Sequence, residues 1–176
     1  MTRLVPLPPE SFVAFIEAAA AAYAEDNVRS GRWPAQDAPA LARAESTRLL
    51  PGGVATPGHQ LFRIDADAEA IGFLWLATLQ HGSAKTAYVY QIIVAPEHRR
   101  RGHARAALQQ AAALAAAQGH ASIALHVFAF NEAAQASYRS LGYQVVSLNM
   151  ALPLTAVAQP APISASSTPP ATTLAT

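Results

Sequence analysis

The segment that most constrains this chain is Arg99-Arg100-Arg101-Gly102-His103-Ala104, together with what flanks it. Before it stands an apolar run rich in Tyr, Val and Ile, residues 87–94, broken off by Pro96. After it stands an alanine-rich stretch, residues 104–118, closed by Gly119. β-Branched and aromatic residues suit a strand, alanine suits a helix, and a glycine just past the last helical residue ends it. A strand that feeds a helix through a basic turn holding one glycine builds an anion cradle. The first-turn N–H groups have no intrahelical partner, and the helix dipole favours negative charge there. A residue without a Cβ lets the backbone come close to a ligand, which gives a reason for Gly102. The three arginines add charge for the same anion, and a diphosphate suits the arrangement.

The composition makes this cluster a local site rather than part of a basic field. The 176 residues carry 12 Lys+Arg against 11 Asp+Glu, a formal net charge of +1. A general nucleic-acid binder has a marked basic excess, so nucleic acid is not an expected partner. There are no cysteines, which excludes disulfides, thiolate catalysis and Cys-type zinc sites; no metal is expected. With 52% hydrophobic and 13% charged residues, the chain can bury the core of one domain. No run reaches the roughly 18 apolar residues of a membrane span, and residues 1–9 lack a signal-peptide core. The expectation is a cytoplasmic protein with no membrane partner, a monomer or a homodimer.

Helical spacing over residues 10–24 places Phe12, Phe15, Ile16, Ala19 and Tyr23 on one face, with Ser11 as a candidate cap. Residues 27–34 read as a turn-rich break, and residues 38–50 as a second helix ending before Pro51-Gly52-Gly53. Residues 60–64 and 70–79 read as strands joined by a hairpin turn over 65–69. A strand over 122–128, a short helix over 131–141 closed by Gly142, and a final strand over 143–152 follow. The order is two helices, a β-meander, then βαβαβ. It predicts an α/β (α+β) fold with a mixed sheet and helices on both faces. Residues 153–176 are dominated by Pro, Ala, Ser and Thr and carry no charge, which predicts a flexible tail. The chain then divides into a domain over 1–152 and a tail over 153–176.

Two motifs taken together resemble the GCN5-related N-acetyltransferase superfamily, over roughly residues 12–152. One is the family's Q/R-x-x-G-x-G/A turn, here Arg99-Arg100-Arg101-Gly102-His103-Ala104, with Ala104 in place of the commoner Gly. The other is its N-x-x-A-x-x-x-Y-x-x-x-G-F/Y pattern, here Asn131, Ala134, Tyr138, Gly142 and Tyr143. Either alone is weak, whereas order, separation and element type agree for the pair. The resemblance implies a sheet splayed open between its central parallel strands, with acetyl-CoA in the gap. Separated strands leave N–H and C=O groups that must be satisfied, and an amide chain can pair with them like an added strand. By this resemblance the main chain of Ile92, Ile93 and Val94 would meet the pantetheine arm. Arg100, Arg101, Gly102, His103, Ala104 and Arg105 would meet the diphosphate, and Asn131 would hydrogen-bond the pantetheine arm.

Acetyl transfer from a thioester to an amine needs a neutral nitrogen, a stabilised oxyanion and a proton or donor for the leaving thiolate. In this family the amine attacks directly, which a chain without cysteine permits. Tyr138 stands at the family's tyrosine position and would donate to the sulfur; the plainer reading is core packing on an amphipathic helix. A main-chain N–H near Ile93 would serve the oxyanion. Gln91 sits where some relatives have Asp or Glu, and an amide cannot take a proton. His126 matches the position of a Glu in relatives that acetylate ribosomal-protein N-termini, and a neutral imidazole can act as base; a lone strand His is also commonly packing or surface. Glu25 and Asp26 are fallback bases, with solvated turn charges as the plainer reading. Trp33, Trp75, Tyr88 and Tyr90 are candidates to line an acceptor pocket, with sheet packing favoured for Trp75. The acceptor would be a primary amine, whether a protein N-terminus, a lysine, a polyamine or a small molecule. A non-catalytic acyl-CoA-binding or sensor domain on the same scaffold is the alternative, and Tyr138 speaks against it.

Overall fold

Strand β3, Glu69–His81, sets the two faces of the sheet. Its side chains alternate, so Leu74 and Leu76 enter one apolar cluster while Phe73 and Trp75 enter another. The computed structural model describes residues 1–152 and 154. Within the unit Met1–Gln144, β3 is the middle of a five-stranded mixed sheet in the order β1-β2-β3-β4-β5. The other strands are β1 Thr2–Pro6, β2 His59–Ala66, β4 Ala84–Val94 and β5 Ser122–Leu125. Neighbours from β1 to β4 run antiparallel, and β4 and β5 run parallel. The mixed sheet expected from the sequence is therefore present.

Helices cover both faces. α3, His103–Ala117, turns Ala107, Leu108, Ala111 and Ala115 onto Ile64, Leu74, Leu76, Ala87 and Val89. That helical stripe of mostly small side chains lets the helix lie close to the sheet. α4, Glu132–Ser140, adds Tyr138 to the rim of the same cluster. On the other face α1, Phe12–Arg29, packs Phe15 and Ala19 against Leu7, Leu61 and Trp75. The Phe15 ring stands edge-on to Phe73 and Trp75, at 5.7 and 5.9 Å between centroids. α2, Ala38–Leu49, meets α1 through Ala38 and Ala42 against Ala20 and Ala24.

The structure departs from the sequence reading at several boundaries. β1 is a strand that the sequence did not signal. Its inner edge pairs with β2, from Thr2 opposite Ala66 to Pro6 opposite Phe62. Its outer edge is satisfied by one side chain: Gln110 accepts from Leu4 N and donates to Thr2 O, both at 3.0 Å. α1 continues past Ala24 to Arg29, taking in Asn27 and Val28 from the expected turn. No Gly or Pro lies between Ala24 and Ser30, and the Asn27 amide donates back to Tyr23 O at 2.8 Å inside the helix. Ser11 makes no side-chain capping bond. The first hairpin is tighter than expected, with a two-residue turn at Asp67 and Ala68, both at positive φ.

Two strand expectations fail. β5 stops at Leu125 instead of Phe128, and residues 143–152 form no strand, so the βαβαβ order is βαβα. Val146, Leu148, Met150 and Leu152 alternate as a strand would, and all are exposed. Alternation supplies a side-chain pattern; a strand also needs a second backbone to satisfy its N–H and C=O groups. The tail expected over 153–176 lies outside the described residues, Leu154 aside. No described helix is long and apolar enough to cross a membrane.

Gly72 faces Val94 across the β3–β4 ladder. A Cβ at this position would lie 2.0 Å from Ile93 O and 3.0 Å from Ile93 C. Neither backbone can retreat without breaking the ladder. Gly72→Ala is expected to cost about 3 kcal/mol through this overpacking, read as a lower urea midpoint at unchanged m-value.

Candidate active site

The site begins where two strands part. β4 and β5 pair only from Thr86 opposite Ser122 to Val89 opposite Leu125. β5 then ends, while β4 continues through Tyr90, Gln91, Ile92, Ile93 and Val94, still paired on its other side with β3. On the β5 side these residues have no strand partner among the described residues, so their main chain offers donors and acceptors to an extended ligand. The expected opening is thus in place beside Ile92, Ile93 and Val94. A bulge falls at its start. Trp75 opposes Gln91 while Leu76 opposes Val89, so Tyr90 has no opposite residue in β3. Bulges bend a strand and re-aim its groups.

At the far end of the opening the chain turns into α3. Arg99 Nε donates to Val94 O at 2.9 Å, so this arginine braces the end of β4. Arg100 and Gly102 both have positive φ, +65° and +83°. Left-handed residues in such a turn swing successive N–H groups to one side and make an anion-binding hollow. A non-glycine residue in that region costs about 1–2 kcal/mol, so the Arg100 conformation is held by its surroundings. A Cβ on Gly102 would meet nothing within 4 Å; its positive φ, rather than crowding by the protein, calls for glycine. The His103 ring is turned to β1, with Nδ1 2.8 Å from Thr2 Oγ1, while its N–H and that of Ala104 belong to the open first turn of α3. Arg105 donates to Ser140 Oγ at 2.9 Å and ties α3 to α4. Arg100 and Arg101 are exposed and make no ion pair among the described residues.

The opposite wall is the segment after β5. His126 is exposed, with its ring edge-on to Phe128 at 4.9 Å. Phe128 stacks on Phe130 at 5.5 Å, and the Arg29 guanidinium of α1 lies 4.3 Å above Phe130. Asn131 caps α4, its Oδ1 accepting from Ala134 N at 3.2 Å. The side-chain amide keeps its Nδ2 donors. Tyr138 is half-buried on α4, and its ring lies 5.8 Å from that of Tyr143.

The electrostatics join this wall to α1. Burial, then the Asp26 charge, pushes the Tyr138 hydroxyl above the usual tyrosine range. Although much of the His126 side chain is exposed, its partial desolvation, then the Arg32 charge, lowers it below the usual histidine range, with Asp26 opposing. Burial and Glu25 raise Asp26 above the usual carboxylate range, against Arg29 and His126. The structure therefore brings both His126 and Tyr138 within electrostatic reach of Asp26. Asp26 is the residue that sequence reasoning undervalued. Read as a solvated turn charge, it is half-buried on a helix, and only the true length of α1 reveals this.

The other candidates separate. Trp75 is buried, donates from Nε1 to His59 Nδ1 at 2.9 Å and stacks on Tyr90 at 4.8 Å, which is packing. Tyr88 is half-buried and edge-on to Tyr90 at 5.0 Å. Its hydroxyl is raised by burial and then by Tyr90 and Tyr23, which sets it toward α1. Trp33 is edge-on to Tyr23 at 5.1 Å. His98 lies 3.5 Å from Glu69.

A strand edge opened between parallel strands, with a glycine turn and helix N-terminus at one end, defines a class of acyl-group transferases. Residues 16–143 match the model of the acetyltransferase (GNAT) family, and the chain belongs to that family. It is 30% identical over 148 residues to the uncharacterized N-acetyltransferase YycN of Bacillus subtilis, covering 84% of this chain and 95% of YycN. It is 31% identical over 142 residues to the uncharacterized N-acetyltransferase YdgE of the same organism, covering 80% and 90%. The crystal structure of YycN superposes with a TM-score of 0.82 at 29% identity, covering 87% of this chain and 98% of YycN. The protein is an acyltransferase, and acetyl-CoA is the donor typical of its family.

The Tyr143 hydroxyl is buried and has no hydrogen-bond partner among the described residues. Tyr143→Phe keeps the ring and removes that unsatisfied group, so stability is expected to rise by about 1 kcal/mol, measured by chemical denaturation.

Proposed function

We propose that residues 1–152 form an acetyl-CoA-dependent N-acetyltransferase domain that moves the acetyl group directly to a primary amine. A protein N-terminus, a lysine and a small-molecule amine all present that group. The observation that carries the reading is the unpaired edge of β4 from Tyr90 to Val94, set between the arginine-glycine turn and Tyr138. Main-chain groups of Ile92, Ile93 and Val94 hold the amides of the pantetheine arm as an added strand would. Asn131 reaches the same arm through Nδ2. The N–H groups of Arg101, Gly102, His103 and Ala104 face the diphosphate, with the Arg100, Arg101 and Arg105 charges nearby.

Bound acetyl-CoA supplies the thioester, and the chain's own residues manage protons. His126, held neutral by its depressed pKa, takes one proton from the incoming ammonium and frees the nitrogen lone pair. As the N–C bond forms and the C–S bond breaks, Tyr138 gives its proton to the sulfur. Its raised pKa keeps the hydroxyl protonated until that moment. The second amine proton then restores Tyr138, and the His126 proton leaves to solvent. A main-chain N–H at the bulge or near Ile93 receives the oxyanion.

The test is thiol release from acetyl-CoA in the presence of amines, beside calorimetry with acetyl-CoA. Tyr138→Phe is expected to bind acetyl-CoA as the parent does while kcat falls by about 10²- to 10⁴-fold. Equal turnover removes Tyr138 from the reaction, and binding without thiol release in the parent identifies a sensor domain.

His126 has its own signature in pH. A lowered pKa means the neutral, base-competent form persists to lower pH than in a free imidazole, so the acid limb of kcat/KM lies below the ordinary histidine range. His126→Gln is expected to shift that limb toward the amine's own pKa, with the rate recovering at high pH. An unchanged profile excludes His126 as base.

A further inference from the structure

Asp26 lies one helical turn from both Tyr23 and Arg29, three residues away on either side, so the three share one side of α1. That side is fixed at both ends. Tyr23 meets Trp33 edge-on at 5.1 Å, and Arg29 lies 4.3 Å over Phe130. Phe130 stacks on Phe128, which touches His126. The side of α1 that carries Asp26 is thereby packed, through Arg29 on Phe130, beside the segment that carries His126. Asp26 is half-buried, yet it makes no side-chain hydrogen bond or ion pair among the described residues. A carboxylate withdrawn from water without a partner is costly, and a cation relieves that cost. Arg29 of the same helix already has its guanidinium over Phe130.

We propose that Asp26 binds the ammonium group of the acceptor and presents it to His126 and Tyr138, so that the substrate class is an alkylamine taken up as its cation. This rests on the N-acetyltransferase reading above. An amine near neutral pH arrives protonated, and a fixed carboxylate beside the proton acceptor recruits that majority form. The rings of Tyr23 and Trp33 lie at the same end of α1 and suit an alkylammonium. The charges that face Asp26 are Glu25 and Arg29 on its own helix and His126 beyond it, and its charge in turn reaches Tyr138. Arg32 acts on His126 from the turn after α1. Among these, Asp26 is the half-buried carboxylate, whereas Glu25 is exposed.

The experiment uses the full chain saturated with coenzyme A, so that no turnover occurs, and titrates n-butylammonium against its uncharged counterpart butan-1-ol by calorimetry. The expected result is that n-butylammonium binds, and butan-1-ol binds at least about fivefold more weakly. Asp26→Asn, nearly the same shape, is expected to lose at least about fivefold in n-butylammonium affinity, and Glu25→Gln to stay within about twofold. Absence of n-butylammonium binding at millimolar concentrations, equal binding of the alcohol, a smaller loss in Asp26→Asn, or a comparable loss in Glu25→Gln overturns the inference. Failure of the parent protein to bind coenzyme A at all instead overturns the reading on which it rests, and the two failures are read in separate titrations.

Discussion

The parting of β4 from β5 after Val89 and Leu125 is the constraint on which the rest of the molecule depends. A parallel ladder is broken in the interior of the fold, and the backbone groups released on β4 must find another partner. Contacts on its two walls hold the break open. On the β4 side, Gly72 admits Ile93 O so closely that β3 and β4 stay paired to the end of the strand. Ala95 N donates to Ile71 O, and Arg99 caps Val94 O. On the β5 side, the departing chain is drawn toward α1 by the stacked Phe128 and Phe130 and by the Arg29 guanidinium above them.

The same geometry gathers the candidate side chains at one end of the gap. α4 begins directly after the departing segment, capped by Asn131, and carries Tyr138 back onto the core. α1 reaches the same place from the opposite face of the sheet. Burial there shifts three groups away from their charged forms: Tyr138 upward, Asp26 upward and His126 downward. On the proposed reading, a neutral base and a neutral acid are needed together, and the shifts of His126 and Tyr138 are in the directions that reading requires. The arginines and free first-turn N–H groups lie apart from these three groups, at the start of α3, and concentrate positive potential there in a protein of formal net charge +1.

Much of this was legible in the chain. The strand-turn-helix around Gly102, the helix from Asn131 to Gly142 and the alternation of β3 each follow from local stereochemistry, and together they named the family. The long boundaries were not. β1 is five residues held by β2 on one edge and Gln110 on the other, and no local signal records a partner more than 100 residues away. The alternating run after Tyr143 carried a strand signal and formed no strand, because pairing is a property of two segments.

Local sequence determined which stretches could be helix or strand, and where a left-handed turn and a basic helix N-terminus had to fall. Those outcomes depend on residues within a few positions of one another, through sterics, propensity and capping. Tertiary structure alone decided that Asp26 is half-buried, that Arg99 braces β4, that His103 turns to Thr2, and that the β5-facing edge from Tyr90 to Val94 has no strand partner among the described residues. Each of these depends on which distant surface packs alongside. Burial and pairing are properties of the assembled chain, and they set the charge state and reach of every group in the site.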